Sequence, residues 1–142
     1  MPETTTLERP IQQTRPKGVL PYIQVEGAIE AVKFYEKAFA AKELSRTASD
    51  DGKRLMNCQI EINGGPMMLM DAMPEHGYPF QPSHSFTLQL IVEDGQAWFG
   101  RAVAAGCKVL APFQQMFWGD KWGAVIDPFN IRWAFDEPPK DE

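Results

Sequence analysis

Imidazole is scarce in this chain, where 142 residues include only His76 and His84. Histidine is the commonest neutral metal ligand and proton carrier near neutral pH, so chemistry built on several imidazoles is excluded. His76 lies in a Pro-rich loop and His84 at the start of a strand, and both read as solvent-facing side chains rather than as metal ligands. Cysteine is as sparse. Cys58 and Cys107 sit in apolar strand-like contexts without C-x-x-C spacing, which removes a disulfide framework and reads as two buried free thiols of a reducing cytoplasm. Positive charge is in deficit, with a net charge of −5 and no basic cluster, which argues against a nucleic-acid partner. No apolar run approaches the roughly 18 residues of a bilayer-spanning helix, so no membrane association is expected. Residues 1–17 have no apolar core behind a basic start and read as a flexible arm rather than a signal peptide. No G-x-S-x-G elbow, P-loop or G-x-G-x-x-G fingerprint occurs, so serine hydrolases, nucleotide hydrolases and Rossmann enzymes lack their geometry.

What is present is a globular composition, with 44% hydrophobic, 11% aromatic and 23% charged residues. One domain over 18–136 is expected, followed by a tail at 137–142. Gly18 to Val25 reads as a strand. Ala28, Ala31, Val32, Tyr35 and Phe39 then recur at three and four residues, which predicts an amphipathic helix over Gly27 to Phe39. Lys42 to Ser49 reads as a second strand, Asp50-Asp51-Gly52 as a turn and Arg54 to Ile62 as a third strand. In that strand Met56, Cys58, Ile60 and Ile62 are expected on one face, and Leu55, Asn57, Gln59 and Glu61 on the other. Asn63-Gly64-Gly65 turns the chain into a fourth strand, Pro66 to Ala72.

The pattern then restarts after a linker loop over 73–84. Phe86 to Val92 reads as a strand, Gly95 to Ala105 as a helix, Cys107 to Ala111 as a strand, and Ala124 to Ile126 with Ile131 to Phe135 as a closing hairpin. Val25-Glu26 matches Val92-Glu93, and Ala38-Phe39-Ala40-Ala41 matches Ala102-Val103-Ala104-Ala105 at equivalent places, which supports two βαβββ modules over 18–72 and 85–136. The predicted class is α+β. A unit with one helix leaves one face of its sheet open, and two such concave sheets side by side would form a cleft.

The densest stretch is Met116 to Phe135, MFWGDKWGAVIDPFNIRWAF. Phe117, Trp118 and Trp122 bring flat apolar surface onto a glycine-containing loop. Asp127-Pro128-Phe129-Asn130 suits a type I turn, with Asn130 tolerant of positive φ. The repeat, the Phe34-Tyr35 pair, Met116-Phe117-Trp118-Gly119-Asp120, Asp127-Pro128-Phe129 and Trp133 together resemble the PhnB-like branch of the vicinal oxygen chelate superfamily. That superfamily includes glyoxalase I, bleomycin-resistance proteins and extradiol dioxygenases. Asn130 stands where glycine normally follows in the turn. The resemblance implies paired βαβββ modules, a homodimer and a site on the concave sheet faces.

It also implies four metal-ligand positions, which fall here at Leu20, Leu69, Thr87 and Ala134. Only Thr87 carries a donor, and one alcohol does not hold a transition metal. The expectation is therefore a metal-free, cofactor-free homodimeric binding protein for a small, flat, partly apolar ligand. Counting by twos along the strands gives Tyr22, Gln24, Asn57, Gln59, Met67, Gln89 and Arg132 as polar or adaptable contacts beside Phe117, Trp118 and Trp122, with Arg132 suited to an anion. No catalytic residue is assigned. The alternative is a divalent-metal-dependent lyase, isomerase or dioxygenase with displaced ligands such as Glu61 and Asp71, whose carboxylates would favour a hard ion.

Overall fold

The computed structural model describes residues 17–140. The arm expected over 1–17 lies, apart from Lys17, outside the described residues, as do the last two positions of the tail. In chain order the elements are β1 (Tyr22–Val25), α1 (Ala28–Phe39), β2 (Lys42–Ala48), β3 (Leu55–Ile62), β4 (Gly65–Asp71), β5 (Leu88–Ile91), α2 (Gly95–Ala105), β6 (Lys108–Gln115), β7 (Lys121–Ile126) and β8 (Arg132–Glu137). A single 3-10 turn, Pro74–His76, interrupts the loop between β4 and β5. Two four-stranded mixed sheets result, ordered β1-β4-β3-β2 and β5-β8-β7-β6. In each, the outer first strand runs parallel to the last one and the remaining pairs are antiparallel. The fold is α+β, built from one topology used twice.

By packing, the described chain divides into two compact units. The first runs to Val32 and resumes over Ala41–Phe80, while the second takes Lys33–Ala40 and everything from Gln81. The last two turns of α1 therefore belong with the second unit. Its core shows why: Tyr35 and Phe39 from α1 meet Trp133 at ring distances of 5.4 and 4.3 Å, and Phe39 and Phe99 meet Phe135 at 6.1 and 6.3 Å. All four of Tyr35, Phe39, Trp133 and Phe135 are buried, while Glu30, Lys33, Glu36 and Lys37 face outward as the helical period requires.

The helix starts are held by carboxylates. Asp71 Oδ1 accepts from the N–H groups of Gly27 and Ala28 at 2.8 and 3.0 Å, and its Oδ2 accepts from Leu55 N–H at 2.8 Å. In α2 the Asp94 side chain accepts from Ala97 N–H at 3.2 Å and Glu137 Oε1 from Gly95 N–H at 2.9 Å. Each of these carboxylates satisfies donors that have no partner inside the helix and complements its positive end.

Two expectations about strand faces are corrected. In β3 it is Leu55 that is buried and Met56 that is exposed, at 49%. The pairing jumps from Thr47 with Asn57 to Ala48 with Leu55, so a bulge at Met56 takes one residue out of the alternation and reverses parity before Asn57. From Cys58 onward the faces alternate as expected, although Gln59 on the helix-free face is itself buried, at 6% exposure. In β4, Met67 pairs with Ile60 and is buried with it, so it belongs to the apolar face, and Met68, opposite Gln59, takes the place expected for Met67.

Strands β6 and β7 are also longer than the sequence indicates, since Gln115 pairs with Lys121 across a tight turn at Met116 to Asp120. Trp122 consequently lies in a strand and only Phe117 and Trp118 lie in the turn. A bulge between Ala111 and Gln114 brings Phe113 over Gly123, where a β-carbon would stand 2.7 Å from Phe113 Cα. Gly123 thus serves close approach of backbone to backbone rather than a bend.

Candidate functional site

Directly paired residues share a face of a sheet, so the register sorts every candidate. In the second sheet Gln89 pairs with Ala134, Ala124 with Ala134, Trp122 with Asp136 and Ile126 with Arg132. Gln89, Trp122, Ala124, Ala134, Arg132 and Asp136 therefore lie on the face opposite Trp133 and Phe135. Helix α2 and the end of α1 cover the latter face and leave the former without a helix. The turn at Met116 to Asp120 extends that open face with aromatic surface. Phe117 is 96% exposed and Trp118 49%, and Trp118 meets Phe117 and Trp122 edge to face at 5.0 and 6.4 Å.

One hydrogen bond organises this face. Trp122 Nε1–H donates to Gln89 Oε1 at 2.9 Å. Because β8 stands between β5 and β7, the bond passes over β8 between Ala134, the partner of Gln89, and Asp136, the partner of Trp122, and Ala134 is fully buried. A longer side chain at Ala134 would obstruct the crossing. Nearby, Asp136 is only 7% exposed, and burial first, then hydrogen bonding and repulsion from Asp120, raise its carboxyl above the ordinary carboxylate value. At the other end of β8, Arg132 Nε–H is buried and has no acceptor among the described residues.

In the first sheet Tyr22 and Gln24 pair with Met68 and Met70, and Gln59 with Met68, so Tyr22, Gln24, Asn57 and Gln59 share a face with those two methionines. Burial, and then the neighbouring Tyr78, raise the Tyr22 hydroxyl above its usual value. The expected residues thus form two groups, each on the helix-free face of its own sheet, with Met67 removed. Sequence reasoning missed Asp136, Met68 and Met70. Counting by twos from Ala134 reaches Asp136, whereas Met68 and Met70 needed the register of β4 with β3.

The Asp127 turn has the expected form, and its role is structural. Asn130 N–H returns to Asp127 O at 3.1 Å and Asn130 has φ 71°. The buried Asp127 side chain accepts from Phe129 N–H and Ile131 N–H through Oδ1 at 2.7 and 3.0 Å, and from Tyr35 Oη–H and Trp133 Nε1–H through Oδ2 at 2.6 and 2.9 Å. Burial raises its carboxyl, partly offset by these donors. Burial and then the Asp127 charge push the Tyr35 hydroxyl well above its normal value. Four donors on one carboxylate leave it nothing to offer a ligand.

A model of the Glyoxalase/Bleomycin resistance protein/Dioxygenase superfamily matches residues 19–135. The chain belongs to that superfamily. An uncharacterized protein of Mycobacterium bovis is 37% identical over 127 residues, covering 85% of this chain and 83% of that protein. Two solved structures share the fold. Protein PA1353 of Pseudomonas aeruginosa has a TM-score of 0.71 at 20% identity, covering 88% of this chain and 100% of that one. A PhnB protein of Bacillus cereus, described as a putative 3-demethylubiquinone-9 3-methyltransferase, has a TM-score of 0.65 at 21% identity, covering 85% and 99%.

The divalent metal that catalysing superfamily members hold does not fit the side chains present here. Ala134 is on the open face but carries no donor, Leu69 faces the core opposite Cys58, and Thr87 offers one hydroxyl. Among the described residues, no three of His, Cys, Asp and Glu converge as a metal site would require. The alternative pair does not converge either. Glu61 pairs with Pro66 on the open face, whereas Asp71 lies on the buried face and is committed to three backbone donors. Among the described residues, no helix is long and apolar enough to cross a membrane.

Proposed function

We propose that this chain is a non-catalytic, metal-free binding protein that takes a small, flat, partly apolar molecule against the helix-free face of its second sheet. The observation that supports it is the continuous run of Phe117, Trp118 and the partly covered Trp122, in which Phe117 and Trp118 stay exposed although apolar rings of this size ordinarily seek burial. Stacking on such rings contributes about 0.5–1.5 kcal/mol each beyond burial. Gln89 and Arg132 supply polar contacts from the same face, while Tyr22, Gln24, Asn57 and Gln59 form a separate polar group on the helix-free face of the first sheet. The protein works as a cytoplasmic homodimer in this reading, with two buried cysteines, neither in a disulfide, suited to a reducing compartment.

The test is a thermal-shift screen of planar aromatic compounds against the wild type and Trp118→Ala, since a ligand that binds the native state raises its stability by mass action. Half-exposed Trp118 tolerates truncation, so the variant should fold and lose the hits. A folded variant that keeps every hit would remove Trp118 from the site. One equivalent of metal per subunit in the purified protein would overturn the metal-free reading, and a monomeric mass by light scattering would overturn the dimer.

A further inference from the structure

We propose that the Trp122–Gln89 bridge selects ligands by hydrogen-bond polarity, so that the molecule taken is a flat aromatic carrying a hydrogen-bond acceptor, best an aromatic carboxylate. This rests on the binding reading above and narrows it to a ligand class. An indole N–H only donates, so the end of the Gln89 amide that meets it at 2.9 Å is the oxygen. The Gln89 NH2 group is then the end left free. Gln89 is exposed, and on the helix-free face beside the aromatic run that NH2 group offers donors and no acceptor. Trp122 is a positioning residue here, because it holds the amide against the half-turn that would exchange donor for acceptor.

A second observation points the same way. Arg132 shares this face through its pairing with Ile126, and its buried Nε–H has no acceptor among the described residues. Gln89, paired with Ala134, and Arg132, two residues before Ala134 on β8, both present N–H donors, so this stretch of the face asks for oxygen lone pairs and negative charge. Asp136, two residues beyond Ala134 and directly opposite Trp122, sets the opposite polarity on the far side of the bridge and orients an anion toward Arg132.

The experiment is calorimetric titration with three probes of one shape: 2-naphthoate, neutral 2-naphthamide and 2-naphthylmethylamine, which is a cation at pH 7. Wild type should prefer naphthoate to the cation by about tenfold or more, the scale of one hydrogen bond to a charged group. Gln89→Glu keeps an oxygen for the indole but turns the free end into an acceptor, so the preference should reverse. Trp122→Phe, checked for folding by circular dichroism, should bind both probes with discrimination reduced to about threefold or less. Arg132→Gln should weaken naphthoate and spare naphthamide.

An unchanged preference in Gln89→Glu overturns the polarity assignment and leaves the aromatic surface standing. Failure of the wild type to bind any of the three overturns the binding reading itself. Equal loss of naphthoate and naphthamide in Arg132→Gln overturns the anionic part alone.

Discussion

The Tyr35 hydroxyl donates to Asp127 Oδ2 at 2.6 Å, joining residues 92 positions apart. It ties α1 to the turn before β8. The same carboxylate oxygen also accepts from Trp133, so two of the most recognisable positions in the sequence, the Phe34-Tyr35 pair and Asp127-Pro128-Phe129, meet in one buried network. Tyr35→Phe keeps the ring packing and removes one of four donors from a buried carboxylate, which should cost about 1–3 kcal/mol. Urea denaturation should show a lower midpoint at unchanged slope. An unchanged midpoint would mean that the hydrogen bond contributes nothing net.

That network also marks what could be read from the residues alone. Both helices, the repeated order of elements and the Asp127 turn follow from local spacing and turn chemistry, and the α2 boundaries match the reading because Asp94 and Gly106 punctuate it. The Tyr35 contact could not be read, since nothing local links two positions so far apart. Faces were legible only until a bulge intervened. Met56 was misplaced because one extra residue reverses alternation without changing composition, and Met67 because the β4 register is fixed by its pairing with Ile60 rather than by its own pattern. Among the site residues, Gln89, Trp122 and Arg132 share the expected face, whereas the bond that couples Gln89 to Trp122 depends on β8 lying between their strands.

Two glycines should respond in opposite directions to alanine. At Gly123 the added β-carbon would lie 2.7 Å from Phe113 Cα and 2.9 Å from its nitrogen, backbone atoms that cannot swing aside. Gly123→Ala should lose about 1–3 kcal/mol or more through forced separation of β6 and β7. Gly100 lies inside α2 with open space around the same point, so Gly100→Ala should gain about 0.5–1 kcal/mol. Thermal melts of the two variants give the comparison, and a tolerated Gly123→Ala would show that the Phe113 bulge yields easily.

Cys107 should be inert as a thiol. Burial, and then the charge of Asp127, push its pKa up to about 12. At pH 8 about one molecule in ten thousand would carry the reactive thiolate. Iodoacetamide should leave Cys107 and the buried Cys58 unmodified in the native protein and label both in denaturant, as read by intact mass. Rapid native labelling of Cys107 would reveal local opening of the segment between α2 and β6.

The Asp136 carboxyl should make stability depend on pH in a direction that its shift fixes. Asp136 is raised above the ordinary value of 3.8, chiefly by burial and then by Asp120, so the folded state binds this proton more tightly than the unfolded chain. The resulting stabilisation is complete below pH 3.8 and is lost as pH rises through the raised folded value. Asp120→Asn removes the neighbouring charge without changing shape, and should therefore melt higher than wild type at pH 7, with the gap closing near pH 3. Melting curves across that range decide it. A variant less stable at pH 7, or a gap that persists undiminished into acid, would mean that the two carboxyls do not oppose each other. Because Asp136 lies on the face proposed to take an anion, relieving its neighbour's charge should also tighten 2-naphthoate at pH 7 while leaving 2-naphthamide unchanged, which separates an electrostatic effect from a change in the shape of the face.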